Sequence, residues 1–275
     1  MATNPLQQFY RQPKIYIKLP SLGVYNPPGS LTGDADNMPV YGMTGMDEIV
    51  AKTPDALLTG ESTAKVIASC CPNIKDPWQL SSIDISTVMA AIRIATSGNI
   101  MPIEHTCSNC GTVNDYEVDL NSIIENFKNK KFKTDISLEG LTLKLQPLNY
   151  KLANELSLRN FRITQQLNQV QGMEDNDQRQ EVINRLFKEL GDLQKDIFLF
   201  GVESVQTQDT VVTDRNHIKE WLENCDKVVF DKIKERNEEN LVEWAIPEFP
   251  VECDHCQTKV TLTVDMDQSN FFVAA

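Results

Sequence analysis

Apolar positions step by three and four along much of the second half of the chain. In residues 150–204, Leu152, Leu156, Ile163, Leu167 and Val170 suit one helical stripe. Further on, Ile183, Leu186, Leu190, Leu193, Ile197 and Phe200 recur at the a/d spacing of helices that cross at a shallow angle. The pattern predicts a helical hairpin that turns at Gly172 and the acidic patch Glu174–Asp177. The second arm's seam has a partner in the first arm. Val182, Phe187, Phe198 and Leu199 widen the apolar face beyond what one helix covers, which leaves a docking role open.

Elsewhere the periods are shorter. Ile15, Ile17 and Leu19 alternate with polar neighbours and predict a strand that stops at Pro20. Residues 20–39 are dense in Pro, Gly, Asn and Asp, the composition of a turn-rich surface segment or of disorder. Residues 44–98 read as helices. Thr44 caps the first, with Asp47 and Glu48 near the positive end of its dipole. Ser62 caps a second that Pro72 ends, and Asp84 or Ser86 opens a third that stops at Gly98. Cys70 and Cys71 read as core or surface residues. A short helix at Ile123–Phe127, a strand at Leu141–Leu145, a strand at 210–213 and two helices capped by Asp214 and Asp226 complete the pattern. The expected fold class is α+β, mainly helical with short strands.

Charge narrows the function classes. The net charge is -13 and the pI about 4.7, which disfavours general nucleic-acid binding and suits contact with protein partners. No run of 18 apolar residues exists, so no membrane span is expected. The first residues lack the apolar stretch of a secretory signal. Seven cysteines, an odd number with clustered pairs, fit a reducing compartment.

Those cysteines carry the candidate chemistry. Cys107/Cys110 and Cys253/Cys256 are two Cys-x-x-Cys pairs, and the second aligns on the first without a gap. Thr112 then falls on Thr258, Val118 on Val264 and Asp119 on Asp265. The repeat is a knuckle turn followed by a strand, and two copies supply the four sulfurs of a closed structural Zn²⁺ site. The chain thus predicts a split zinc ribbon with a large insertion: an N-terminal α+β domain at 1–150, a helical insertion at 151–246, and a second knuckle at 247–275. Rival readings are a redox Cys-x-x-Cys, a mixed site using His105 or His255, and unrelated thiols. No catalytic constellation stands out. The three histidines are scattered, and no nucleophile elbow, phosphate-binding loop or H-E-x-x-H motif is present.

The order of motifs adds a resemblance. IYIKLPSLGVY, PVYGMTGMDE, ASCCPNI, DISTVMAAIRIATSG, the first C-x-x-C-G and LKLQPLNY follow one another across residues 14–150. This order resembles the T-even-type phage baseplate hub protein family, and the terminal knuckle with SNFF extends the likeness. The resemblance implies a non-enzymatic role in the hub or its assembly. Its partners would be other baseplate, hub and tail proteins, and its place the virion tail or the host cytoplasm during assembly. The alternative is a cytosolic zinc-ribbon protein that binds nucleic acid, which the acidic flanks of both knuckles disfavour.

Overall fold

The computed structural model describes residues 4–52, 59–170 and 176–264. The fold is α+β, as expected. It divides into two compact units: Met1–Lys131 with Ala245–Ala275, and Phe132–Trp244.

The first unit is organised around one helix. After a 3-10 turn at Pro5–Phe9, β1 (Ile15–Ile17) pairs antiparallel with β2 (Met38–Val40). The helices α1 (Gly45–Ala51), α2 (Glu61–Cys70) and α3 (Ser82–Ser97) follow. Then come β3 (Ile100–Thr106), β4 (Val113–Asp119) and α4 (Asn121–Phe127). The returning chain adds β9 (Phe249–Glu252) and β10 (Lys259–Leu262). In α3 the residues Val88, Met89, Ala90, Ala91 and Ile92 are all buried, so this stretch of the helix is covered around its circumference. It packs against α2, α4, β1 and β2. At Gly42 a Cβ would meet the Ala95 carbonyl oxygen at 2.7 Å, so the chain leaving β2 lies directly on α3.

Polar groups tie the N-terminal segments to this core. Arg11 donates to the Gly42 carbonyl, to both oxygens of Ser69 and to Asp47. Burial works against the Asp47 charge, but the Thr44 backbone N–H, Ser69 and Arg11 hold its carboxyl below the usual range. Thr44 and Asp47 form the expected cap of α1 as a reciprocal capping box. The turn-rich segment is ordered, anchored by Thr32 N–H on the Asn73 carbonyl and Lys75 N–H on the Ser30 carbonyl.

Two helix starts differ from expectation. Gly60, at a φ of +74°, precedes α2, and Ser62 lies inside that helix, fully buried. Ser81 precedes α3, and Asp84 does not cap it. Instead the Asp84 carboxyl turns into the core and accepts from the Ser21 backbone N–H at 2.8 Å and the Ser21 hydroxyl at 2.5 Å. Cys70 and Cys71 are core residues, and burial raises both thiols, Cys70 to about 11.

The second unit is a four-stranded antiparallel sheet in the order β5 (Asp135–Leu138), β6 (Leu141–Leu145), β7 (Val202–Thr207), β8 (Val211–Val212). The expected hairpin, α5 (Tyr150–Val170) and α6 (Asn176–Gly201), is inserted between the neighbouring strands β6 and β7. Its turn at Gly172 and residues 174–175 lies outside the described residues. Leu156, Ile163, Val170, Leu186 and Leu193 form the hairpin's own core, so the a/d seam is filled from within. A second core joins Ile136, Leu143, Leu145, Val202 and Val205 of the sheet to Phe198 of α6. Ile218 of α7 (Arg215–Asn224) and Ile233 of α8 (Lys227–Glu243) complete it. Residues 132–150, read above as part of the N-terminal domain, therefore group with the insertion. The helical pattern extended to 204 ends at Gly201, where buried Val202, Ser204 and Val205 enter the sheet. Asn240, buried in α8, accepts from the Lys133 N–H and donates to the Lys133 carbonyl, holding the entry of the unit against its exit helix.

Asp84 yields a pH prediction. Burial raises its pKa from 3.8 to about 6 against the pull of the Ser21 hydrogen bonds. A raised carboxyl favours the protonated native state, so its contribution is present in acid and lost as pH rises through about 6. Relative to Asp84→Asn, the wild-type chain should gain about 1 kcal/mol between pH 7.5 and pH 5, some 2–4 °C in the calorimetric transition of the first unit. A constant difference across that range would refute the buried-carboxyl assignment.

Candidate metal centre

The two knuckles sit at the tips of two hairpins. β3 and β4 pair from Ile100↔Asp119 to Thr106↔Val113, and β9 and β10 from Phe249↔Leu262 to Glu252↔Lys259. Each tip is closed by the same two backbone bonds. Cys107 N–H donates to the Thr112 carbonyl and Gly111 N–H to the Cys107 carbonyl. Their counterparts are Cys253 N–H to Thr258 and Gln257 N–H to Cys253. The residue after each second cysteine is left-handed, Gly111 at a φ of +72° and Gln257 at +56°. The sequence repeat is thus a repeat of backbone geometry.

The tips face one another and bring all four sulfurs within 4.8 Å. Cys107 Sγ lies 3.6 Å from Cys256 Sγ, and Cys110 Sγ lies 3.7 Å from Cys253 Sγ. Sulfurs at the corners of a tetrahedron with ~2.3 Å metal–sulfur bonds are ~3.8 Å apart, so the donor set and its spacing fit one metal ion. Cys107 and Cys253 are buried, Cys256 half-buried and Cys110 exposed. Cys225, Cys70 and Cys71 take no part, and neither do His105 and His255.

Hydrogen-bond donors converge on the sulfurs. At Cys256 the Thr258 hydroxyl, 3.2 Å away, the Thr258 N–H and the Asn109 amide bring the thiol down to about 5. At Cys253 the N–H groups of Cys256 and His255 outweigh burial and lower the thiol. At Cys107 the N–H groups of Cys110 and Asn109 favour the thiolate. Burial and the sulfurs of Cys256 and Cys110 together exceed them, and this thiol is raised. Donors that favour a thiolate at Cys256 and Cys253 suit sulfurs that could ligate a cation.

Side chains that the cysteine pattern did not single out hold the knuckles together. Asn109 donates across the site to Thr258 Oγ1 at 3.1 Å. Asn114, buried, accepts from the Asp254 N–H at 3.1 Å and donates to the Thr112 carbonyl. The Tyr116 hydroxyl donates to the Glu252 carbonyl. Thr112 and Thr258 are visible in the alignment of the repeats. Asn114 is not, because its counterpart is Val260.

The shared backbone geometry predicts an asymmetry. An L-residue in the left-handed region costs ~1–2 kcal/mol, and glycine recovers that less its own ~0.5–1 kcal/mol entropic penalty. At Gly111 a Cβ would meet nothing within 4 Å, so only backbone strain is at stake. Gly111→Ala should destabilise the ribbon by about 1 kcal/mol, while Gln257→Gly should be neutral or slightly stabilising. Cys107→Ser and Cys253→Ser should lower the melting temperature alike, and Cys225→Ser should be mild. Thermal melts in which Cys107→Ser is harmless and Cys253→Ser is not would contradict a shared site.

No curated protein and no solved structure matches this chain. The T4 bacteriophage base plate protein family matches residues 44–273, which takes in both cysteine pairs and the whole second unit. The opening IYIKLPSLGVY lies ahead of the matched span. With more than four-fifths of its length matched, the chain belongs to the T4 bacteriophage base plate protein family.

Proposed function

We propose that this baseplate protein is a non-enzymatic component or assembly factor of the baseplate hub, clasped by one structural zinc and bound to other tail proteins. The family match over residues 44–273 carries the baseplate assignment. The hub assignment rests on the motif order described above. Cys107, Cys110, Cys253 and Cys256 would hold the ion. Zinc suits four thiolates in a closed tetrahedron, and four protein ligands leave no open coordination position for catalysis. The ion would neutralise thiolate charge and fix the two hairpins. Among the described residues no helix is long and apolar enough to cross a membrane.

The helical hairpin is the proposed arm for partner contact. Its seam is filled from within, yet Phe161 and Phe187 stand about 60% exposed, one on each helix. Aromatic residues, Phe among them, are enriched in protein interfaces relative to the rest of the surface.

Metal analysis of protein purified without added zinc should give about one equivalent per chain. A value near zero, with four freely titrating thiols in folded protein, would remove the metal from the proposal. Tagged protein should recover hub or tail-tube components from cells making the remaining tail proteins, and Phe161→Ser with Phe187→Ser should weaken that recovery at unchanged zinc content. Recovery of nucleic acid or RNA polymerase in their place would favour the zinc-ribbon alternative.

A further inference from the structure

We infer that the four-cysteine cage is built to convert into two disulfides that cross between the knuckles, Cys110 with Cys253 and Cys256 with Cys107, when a peroxide removes the metal's ligands. The inference rests on the reading of the cage as a metal clasp in a particle that is assembled inside a cell and released from it. Such a protein passes from a reducing to an oxidising medium.

Within a cage whose four sulfurs all lie within 4.8 Å, the two directly facing sulfur pairs point to the pairing. The sulfur contacts at 3.6 and 3.7 Å both run from one knuckle to the other. A disulfide has its sulfurs ~2.05 Å apart, so each sulfur moves by roughly 0.8 Å. Accessibility divides the labour in the same way. Each crossing pair joins a more exposed residue, exposed Cys110 or half-buried Cys256, to a buried one, Cys253 or Cys107. The accessible member meets the oxidant and the buried member resolves it. At Cys256 the Thr258 hydroxyl and the Asn109 amide contact the attacking sulfur. Beside Cys110, Thr112 Oγ1 lies 3.4 Å away.

The chemistry balances with hydrogen peroxide as the oxidant. The Cys110 thiolate attacks one peroxide oxygen, the O–O bond breaks, hydroxide leaves and a sulfenic acid forms. The Cys253 thiolate then attacks that sulfur, the S–S bond forms and a second hydroxide leaves. Two thiolates are oxidised to one disulfide, and one peroxide is reduced to two hydroxides. The same sequence joins Cys256 to Cys107, and the four sulfurs would then no longer be available to hold a metal ion. Both bonds connect residues 107–110 to residues 253–256. The tie between the two hairpins therefore outlasts the metal.

The test uses the full-length chain. Reduced, chelator-treated protein is exposed to about two equivalents of hydrogen peroxide, quenched with a maleimide, digested and mapped by mass spectrometry. The peptides containing Cys107/Cys110 and Cys253/Cys256 should be recovered joined, and fragmentation between Cys107 and Cys110 should assign the two bonds. Cys110→Ser should retain the Cys107–Cys256 bond alone, and Cys256→Ser the Cys110–Cys253 bond alone. The wild-type map decides the matter even if these variants fold poorly. Separate peptides, each closed within its own knuckle, would overturn the inference, as would sulfinic acid with no disulfide. Zinc content before oxidation is a separate readout: its absence would remove the metal reading and leave a crossed disulfide map standing.

Discussion

The returning ribbon β9–β10 depends on the meeting of two knuckles, with Leu262 and Val264 buried behind it. The pair β9 and β10 is a two-stranded ribbon of four residues a side, too small to be stable in water alone. Its hold on the first unit comes through the facing sulfurs, Asn109 on Thr258, Asn114 on Asp254 and Tyr116 on Glu252. The four sulfurs lie at the centre of this contact, and the polar side chains around it bridge one hairpin to the other. The four sulfurs at the centre could hold a cation, and the amide donors lie at the rim of the same contact.

The first unit uses buried polar groups in the same manner, as ties between segments distant in sequence. Arg11 gathers Gly42, Asp47 and Ser69, and Asp84 holds Ser21. Helix α3 supplies the apolar surface, and these hydrogen bonds fix which irregular segments lie on it. A chain with so much turn in its first forty residues has few ladder bonds with which to do this. Side-chain-to-backbone bonds take their place.

What was legible in the sequence follows from how local each signal is. The a/d seam, the Gly98 stop, the Thr44 cap and strand β6 depend on neighbours within one or two turns, and the structure has them where they were read. Asp84 carries the same chemistry as a cap residue. Its partner lies at Ser21, 63 positions away, and no local pattern reports that. The four-stranded sheet was hidden for a related reason. Strand β7 begins where the helical stripe runs out, and β5 has only four residues. Phe198 and Leu199 read as a surplus of apolar area on a helix because the sheet and helices that cover them were not yet in view. In the metal centre, repetition exposed the cysteines and threonines. Asn114 breaks the repeat and stayed silent.

The bond pair between Asn240 and Lys133 has a topological consequence. A segment whose beginning and end are fastened to each other needs nothing from its host to close its own chain. Two chain crossings, near 131 and 245, are then the only covalent debts it owes the ribbon. The polypeptide between the two cysteine pairs is thereby tied at its own neck, and the pairs meet in space although Cys110 and Cys253 are 143 positions apart.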